Sequence, residues 1–452
     1  MQALTRVSVR RLVVSSLVVA GLLIAAPAAG AKARPAFGHD PILFVHGIEG
    51  TGAQFDSQAL RFTSNGYPHR WIDEVDYDST RAVGDKSEVD QQIDDAIASL
   101  ERRTGKKKVD VVAHSLGTSV MYDYLTNGPM AAQRRSNVAH YVNVDGQDQD
   151  PGVPTLAVWA GRGTPGRHMD GAKNVLIPDQ THVQTCTSAE SFVAYYKFLT
   201  GRKPAHDIVP EHGSIKVAGK ALDFPVNTGL AGSTVEVWPV KHDGSRVGSK
   251  PVASIAITDG SVGGGAWGPV TVRSGRRYEF ALIQPGLPTL HFYSEPFVSS
   301  DYTLRLLASP AIENYAGNRS GSMSTVNIRY KELWGDQGKE NDKLLVDGLN
   351  ICTATLCPIS KQVNAYFAFD LNNDGQTDLS SPDPVLSNLP FIQGADVYVP
   401  ASSPPDRTVT WRLVSRGGGP ARSLKVPNWD STTDGVILEW NDFESLNFQP
   451  RR

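Results

Sequence analysis

The stretch that decides the fold is VDVVAHSLGT, residues 109–118, in which a valine-rich run leads directly into a His-Ser-Leu-Gly turn. Two small residues, Ala113 and Gly117, stand two places before and two places after Ser115. A strand that turns sharply into a helix needs small residues there, because larger side chains would collide with the neighbouring elements. The stretch therefore predicts a nucleophile elbow with Ser115 at its apex. A plain strand-to-helix turn with a capping serine is the alternative.

The segments around the elbow alternate between apolar strands and amphipathic helices. Strands are predicted in PILFVHG, HRWIDEVDY, KKKVDVVAHS, VAHYVNVDG, PTLAVWAG and AKNVLIP, and helices in DKSEVDQQIDDAIASLERRTG and AESFVAYYKFLTG. In the first helix Val89, Ile93, Ile97 and Leu100 share one face, and Gly201 is expected to end the second. The alternation predicts a mostly parallel sheet covered by helices on both faces.

The character of the sequence changes after Gly201, where short β-rich runs separated by Gly, Pro, Asn and Asp replace the helical pattern. This spacing is typical of β-sandwich or barrel modules. The stretch RLLASPAIENYAGNRSGS is predicted to link two such modules. The predicted organisation is a signal peptide, an α/β catalytic domain and two β modules, at residues 1–33, 34–204, 205–309 and 310–452.

Charge and the amino terminus indicate the class and the location of the protein. The 452 residues carry 44 Lys and Arg against 47 Asp and Glu, so a nucleic-acid partner, which usually demands a basic excess, is not expected. The basic start MQALTRVSVRR, the apolar run LVVSSLVVAGLLIAAPAA and the A-x-A motifs after it predict a cleaved secretory signal peptide, with an uncleaved anchor helix as the alternative. The mature chain is expected to be secreted, without a transmembrane anchor, and monomeric.

Three cysteines are expected to lie in an oxidising compartment. Cys352 and Cys357, in NICTATLCPIS, are close enough in sequence to close a small disulfide loop, and two reduced cysteines are the alternative. Cys186 is left over and is predicted to be a buried structural cysteine.

A nucleophilic serine needs a base, and the base needs an acid that orients it. After a nucleophile elbow the chain order is serine, acid, histidine. Among eleven histidines, His182 in VLIPDQTHVQTC is the favoured base, because it follows the last predicted strand at the edge where the carboxyl ends of parallel strands meet. Asp145, directly after VAHYVNV, is the preferred acid, and Asp170 in HMDGAKN is held in reserve.

An acyl-transfer site also needs N–H donors for the oxyanion. The first predicted strand ends in FVHGIEGTGAQF, whose glycines allow backbone N–H groups to turn toward the serine. Ile48 in this loop and Leu116, the residue after Ser115, are the predicted donors. Joined to the elbow and to His182, the loop favours a hydrolase site over a glycine-rich turn without a chemical role.

A second candidate site lies near the carboxyl terminus in FDLNNDGQTDLSS. Its alternating polar residues suit an oxygen-preferring cation such as calcium, and Gly375 permits the sharp turn that such a loop needs. The predicted ligands are Asp370, Asn372, Asp374, Gln376 and Asp378. Position 12 is Ser381 instead of a glutamate, so the match is partial, and an Asx-rich turn is the alternative. Calcium here would be structural, and no cofactor is expected for catalysis.

The motif pair FVHGIEG and AHSLG resembles the small Bacillus lipases, which also have alanine at the head of the elbow. The runs THVQTCTSAESFVAYYKFLTGRKP, DIVPEHGSIKVAGKALDF and HFYSEPFVSSD resemble the two-domain Archaeoglobus-type lipases over nearly all of the mature chain. This resemblance implies an ester-hydrolysing α/β-hydrolase domain and a carboxyl-terminal β region associated with lipid substrates. It supports Asp145, since the acid of those lipases follows the strand after the elbow in an L-D-G turn. Where they carry a long lid insertion, DYDSTRAVGDKSEV is short, which predicts a small or absent lid.

The favoured function is a secreted carboxylic-ester hydrolase, a lipase that cleaves acylglycerol esters through Ser115, His182 and Asp145. A polyester depolymerase or esterase, whose β modules dock on a solid surface, is one alternative. The other is a surface-binding protein with an inactive hydrolase-like domain.

Overall fold

The computed structural model describes residues 38–82, 84 and 86–443. The predicted signal peptide, residues 1–33, lies outside the described residues. From His39 onward the described residues form one compact unit. Within these described ranges we find no helix that combines the length and the apolar character needed to cross a bilayer.

The amino-terminal region contains six parallel strands, as the sequence predicts, and six α-helices, of which the sequence analysis gave two and the helix after the elbow. The strands are β1 (Ile42–Val45), β2 (Ile72–Val75), β3 (Val109–His114), β4 (Val138–Val144), β5 (Thr155–Ala160) and β6 (Lys173–Ile177). The helices are α1 (Asp56–Ser64), α2 (Ser87–Thr104), α3 (Leu116–Thr126), α4 (Ala131–Asn137), α5 (Gln184–Thr187) and α6 (Ala189–Thr200). The strand order is β2-β1-β3-β4-β5-β6. The predicted α/β-hydrolase fold class is confirmed.

The helix with the clearest apolar period, α2, buries Val89, Ile93, Ile97 and Leu100 as predicted. A glycine with a positive φ ends both α2 and α6, the latter at Gly201. The sequence analysis missed α1, α4 and α5. The buried face of α1 includes polar side chains and therefore shows no apolar period. The described residues between β2 and α2, namely 76–82, 84 and 86, contain no helix.

Most of the regular secondary structure in the rest of the described chain is β-strand. Its strands are β7 (Ser214–Asp223), β8 (Thr228–Gly229), β9 (Thr234–Pro239), β10 (Ala253–Ala256), β11 (Ala266–Arg273), β12 (Tyr278–Ile283), β13 (Thr289–Ser294), β14 (Asp301–Ala308), β15 (Thr325–Leu333), β16 (Lys343–Val346), β17 (Leu349–Asn350), β18 (Val363–Phe369), β19 (Asp378–Pro382), β20 (Ile392–Asp396), β21 (Thr408–Val414), β22 (Arg422–Pro427) and β23 (Asp434–Glu439). One α-helix, α7 (Pro310–Ala316), and three short 3-10 helices lie among the described strands.

The largest β-sheet of this region has nine strands in the order β10-β9-β12-β13-β23-β15-β18-β20-β19. Two four-stranded sheets accompany it, one with β11-β7-β14 and β8, the other with β17-β16-β21-β22. The nine-stranded sheet runs across residue 310, because β23 pairs in parallel with both β13 and β15. The predicted boundary at residue 310 stays a prediction.

The stretch predicted as a link between β modules, residues 305–322, is ordered structure in its first half. Its first four residues complete β14, and the next segment forms α7. The linker prediction is wrong there, because Arg305 and Ala308 are buried on a strand that pairs with β7. The predicted disulfide between Cys352 and Cys357 is present, and Cys186 is buried as predicted.

A buried ionic cluster joins the hydrolase sheet to the β region. Asp76, just after β2, accepts hydrogen bonds at 2.9 and 3.1 Å from the Arg305 guanidinium of β14 and at 2.7 Å from the Lys220 ammonium of β7. Although burial opposes ionisation of Asp76, these two cations hold the pKa of its carboxyl well below its usual range. Removing one partner of such a buried pair is costly, so the cluster fixes the β region against the hydrolase sheet.

A second contact between the two regions is rich in carboxyl groups. Asp56 of α1 and Asp301 of β14 share a hydrogen bond, and Glu439 lines the same pocket. Burial raises the pKa of Glu439 to about 8, and the negative charge of Asp301 adds to the effect. At neutral pH this glutamate therefore carries a proton that the unfolded chain would release.

We expect Glu439 to make the folded state less stable as the pH rises from about 4.5 to about 8. Between the ordinary pKa of glutamate, 4.5, and the value of about 8 for Glu439, each pH unit disfavours the folded state by about 1.4 kcal/mol. Glu439→Gln, which stays neutral, should flatten the dependence of the urea midpoint on pH, whereas the exposed Glu340→Gln should retain it. An equal slope in wild type and Glu439→Gln would contradict this expectation.

Candidate active site

Ser115 stands at a strained turn between a strand and a helix. β3 ends at His114, α3 begins at Leu116, and Ser115 itself has φ 51° and ψ −123°. A non-glycine residue rarely adopts a positive φ, and such strain concentrates at functional sites. The turn also leaves no room beside it, since a Cβ at Gly117 would lie 2.3 Å from the His46 carbonyl oxygen. The predicted elbow geometry is therefore present, and it requires glycine at position 117.

The structure brings the three predicted triad residues together. His182 Nε2 lies 2.8 Å from Ser115 Oγ, and His182 Nδ1 lies 2.6 Å from Asp145 Oδ2. Asp145 follows β4, and His182 lies between β6 and α5, so both sit at the carboxyl edge of the parallel sheet. The imidazole can accept the serine proton on one nitrogen while the carboxylate holds the other N–H.

Asp145 is held as a carboxylate. Its side chain is buried, and Oδ1 accepts a hydrogen bond from the Ala160 amide at 3.0 Å and lies 3.4 Å from the Arg167 guanidinium. Burial by itself opposes ionisation. The hydrogen bonds from His182 and Ala160, with the nearby charge of Arg167, outweigh it and lower the pKa of Asp145.

Asp170, the reserve acid, lies elsewhere. Its side chain is exposed and lies 3.5 Å from the His168 Nε2 atom. The structure therefore places Asp145, and not Asp170, against His182.

His114, assigned from the sequence only to the elbow motif, forms a hydrogen bond with the backbone of the candidate base, His182. Its Nδ1 lies 2.8 Å from the Gln54 side-chain amide, and its Nε2 lies 3.0 Å from the His182 carbonyl oxygen. Because the amide nitrogen donates and the carbonyl accepts, His114 is neutral with its proton on Nε2. Burial lowers the pKa of His114 to about 3, and the neighbouring His182 adds to the shift.

The predicted oxyanion loop is held by its neighbours. The Gly47 amide donates to the Gln54 side-chain oxygen at 3.3 Å, and the His46 ring stacks on Tyr77 with ring centres 4.2 Å apart. Ile48 lines the cleft in front of Ser115. Leu116 is the first residue of α3, so the helix does not use its N–H. Ile48 thus shares the cleft with Ser115, and Leu116 follows Ser115 in the chain.

Residues of the β region, far from Ser115 in sequence, form one wall of the cleft in front of it. Tyr330 of β15, Asn364 of β18 and Phe391, just before β20, line it together with Ile48 and Val183. No motif in the sequence could have revealed these residues, because they approach the serine only through tertiary packing.

An apolar cavity of about 140 Å³ continues from this cleft into the β region. Five residues line both spaces: Glu49, Gly50, Tyr330, Asn364 and Phe391. Alternate half-buried side chains of β15 and β18 form much of its wall: Val326, Ile328, Ala365 and Phe367. The lining of the cavity has the apolar character of a site for an apolar molecule.

The side chains of the predicted calcium loop form hydrogen bonds with other groups of the protein. Asp370 accepts hydrogen bonds from the Asp374 and Gly375 amides, both at 3.1 Å, while Asp378 is exposed and accepts from Ser380. Asn372 donates to Asp396, and the Gln376 amide donates to Asp374. Within the described ranges, no group of three or more His, Cys, Asp or Glu side chains is arranged to hold a metal ion. The calcium site stays a prediction.

Comparison with protein families agrees with the hydrolase geometry. Residues 39–146 match the model of class 2 lipases, and residues 213–311 match the model of the lipase C-terminal domain. Residues 312–444 match a further C-terminal domain model.

Solved structures with similar parts include three proteins from different organisms. A Listeria innocua gene product is 14% identical, with 37% of this chain and 97% of that chain covered and a TM-score of 0.29. Lipase B of Aspergillus fumigatus is 12% identical, with 38% and 54% covered and a TM-score of 0.29, so the match spans about half of that lipase. Phospholipase PlaB of Legionella pneumophila is 8% identical, with 59% and 93% covered and a TM-score of 0.24.

The family matches cover the hydrolase sheet through Asp145 and most of the β region. These matches support a hydrolase that acts on esters, with a region similar to the lipase C-terminal domain after the hydrolase region.

Proposed function

We propose that the protein is a secreted carboxylic-ester hydrolase of the lipase type that works through an acyl-enzyme. The observation that carries this proposal is the unbroken chain of hydrogen bonds from Ser115 Oγ through His182 to the buried carboxylate of Asp145. The order and roles of these groups are those of a serine hydrolase triad.

In the first step, Ser115 Oγ attacks the ester carbonyl carbon as His182 Nε2 takes the serine proton. The N–H groups of Ile48 and Leu116 stabilise the oxyanion of the tetrahedral intermediate. When the intermediate collapses, the C–O bond to the alcohol breaks, and the proton on His182 passes to the leaving oxygen. Water then attacks the acyl-serine with His182 as base, which releases the carboxylic acid and restores Ser115.

The apolar cavity supports acylglycerols with long acyl chains as substrates. It opens from the cleft that holds Ser115, and apolar side chains of the β region dominate its wall. Each methylene group buried there would contribute about 0.8 kcal/mol. An acyl chain seated in the cavity would leave its ester carbonyl at the serine.

The proposal is tested by hydrolysis of p-nitrophenyl esters from acetate to palmitate, together with emulsified triglyceride and a polyester film. We expect turnover of the esters and of triglyceride, with kcat/KM rising with chain length. Turnover of the film without turnover of triglyceride would favour the depolymerase instead. If the protein hydrolyses no ester and does not react with a serine-directed phosphonate, the interpretation as an inactive surface-binding protein would be favoured.

Filling the cavity should change the chain-length preference. Ala365→Phe places a ring beside Val326 and Ile328, so we expect kcat/KM for p-nitrophenyl palmitate to fall about tenfold or more, while that for the acetate stays within about twofold. Ala256→Phe makes the same change at an exposed position of β10, outside the cavity, and should leave both values unchanged. A uniform loss on short and long esters would argue against the cavity as the acyl site.

A further inference from the structure

A buried glutamate of the β region holds the turn that carries His182. Glu332 of β15 accepts hydrogen bonds on Oε1 from the Val183 amide at 3.1 Å and the Gln184 amide at 3.3 Å. On Oε2 it accepts a bond from the Thr181 hydroxyl at 2.7 Å. Three donors from residues 181–184 thus converge on one carboxyl group about 150 positions away in sequence. His182 is the residue that these donors surround.

The backbone at Glu332 is adapted to this contact. Glu332 has φ 63°, a left-handed conformation that costs free energy for a residue with a side chain. The pairing of β15 with β18 changes register between Ile328 and Leu333, which marks an irregularity in the strand. Such irregularities redirect side chains, and they are frequent beside active sites. Here the redirected side chain contacts the histidine turn.

The carboxyl group of Glu332 is fully buried. Burying a carboxyl group is unfavourable unless hydrogen bonds replace its water, and a fourth donor, the Trp334 indole N–H at 3.3 Å, joins those of the turn. If packing were the only requirement, an apolar residue would suit this buried position better than a glutamate. Its specific result is a fixed position for the turn.

Arg416 strengthens the same connection. Its guanidinium donates to the Glu332 carbonyl oxygen at 2.9 Å and to the Gln184 side-chain oxygen at 2.9 Å, and it stacks 3.7 Å from the centre of the Trp334 ring. Arg416 also bonds the buried carboxylate of Asp342. The histidine turn is therefore held at its backbone and at a side chain by the carboxyl-terminal β region.

We propose that Glu332, supported by Arg416, is a positioning residue that keeps His182 within hydrogen-bonding distance of both Ser115 and Asp145. This inference rests on the proposed role of His182 as the base. Glu332 does not touch the reacting atoms, and it acts through the turn. The β region would then position the candidate base in addition to lining the cleft in front of Ser115. Small displacements of a base are enough to slow proton transfer, since an error of 1 Å can cost about 100-fold in rate.

The test compares Glu332→Gln with Glu295→Gln, a change at another buried glutamate of the β region that bonds Arg422 and the Asn441 amide instead of the histidine turn. A glutamine side chain keeps one oxygen but turns an NH₂ group toward donors of the turn. For p-nitrophenyl butyrate we expect kcat of Glu332→Gln to fall about 10- to 100-fold with KM within about twofold. Glu295→Gln should keep the wild-type kcat, whatever its melting temperature.

A second readout needs no substrate. The His182 Nδ1–H proton, assigned in the NMR spectrum by its loss in His182→Ala, reports the hydrogen bond to Asp145. We expect this resonance to shift or broaden in Glu332→Gln and to stay unchanged in Glu295→Gln. If the wild type hydrolyses no ester, the proposed function fails, and this resonance alone decides the inference.

Thr181→Val provides a milder variant that loses only the hydroxyl donor to Glu332. We expect a smaller loss of kcat, and in the double variant with Glu332→Gln the two losses should not add, because both changes break the same contact. Wild-type kcat together with an unshifted His182 resonance in Glu332→Gln would overturn the inference. So would a loss of kcat in Glu295→Gln equal to that in Glu332→Gln.

Discussion

Ser115→Ala is expected to lower kcat for p-nitrophenyl esters by on the order of 10⁶-fold. In the proposed mechanism the variant lacks the oxygen that forms the acyl-enzyme, and His182 then has no serine proton to accept. Binding of the ester and the oxyanion N–H groups remain, so a small residual rate above that of the uncatalysed reaction should persist. The apolar cavity is unchanged, and KM should stay within a few-fold of the wild-type value.

The matched control for this change is Ser119→Ala, one turn further along α3, at a position that does not line the cleft. It should keep wild-type kcat and wild-type reaction with a serine-directed phosphonate, whereas Ser115→Ala should lose both. Retention of most of the activity in Ser115→Ala would mean that the elbow is only an architectural turn. In that case the inactive surface-binding protein would become the favoured interpretation.

Asp145→Asn is expected to lower kcat by about 10⁴-fold. The carboxylate accepts the Nδ1–H of His182 at 2.6 Å. In the proposed mechanism it also stabilises the imidazolium that forms when the serine proton is transferred. An asparagine removes that charge, and its NH₂ group can turn toward Nδ1 and favour the tautomer that carries its proton on Nε2. In that tautomer His182 cannot accept the proton of Ser115.

Asp170→Asn is the control for Asp145→Asn. Its side chain is exposed and lies beside His168, so the same chemical change there should leave kcat within about twofold of the wild type. Both variants should be compared at equal folded fraction, measured by thermal unfolding. The reverse pattern, with activity lost only in Asp170→Asn, would refute the assignment of Asp145.

Local sequence patterns were sufficient to predict the strands of the amino-terminal region and to choose the candidate residues. The apolar period of α2 and the valine-rich β3 each depend on residues that are close in sequence, so their spacing predicts the element that they form. The choice of His182 followed from the rule that the carboxyl ends of parallel strands meet at one edge. Asp145 was preferred for its place directly after the strand that follows the elbow, and the family resemblance supported it. The polar buried face of α1 gave no such pattern, and this helix was missed.

The sequence by itself thus determined the parallel hydrolase sheet, the elbow at Ser115, and the order of serine, acid and histidine along the chain. Tertiary structure alone decided that Asp145 and not Asp170 meets His182, that Tyr330 walls the cleft, and that Glu332 holds the histidine turn. The physical reason is the range of the contacts. A contact between residues 149 positions apart leaves no periodic signal in either segment, and it exists only after the β region has packed against the hydrolase sheet.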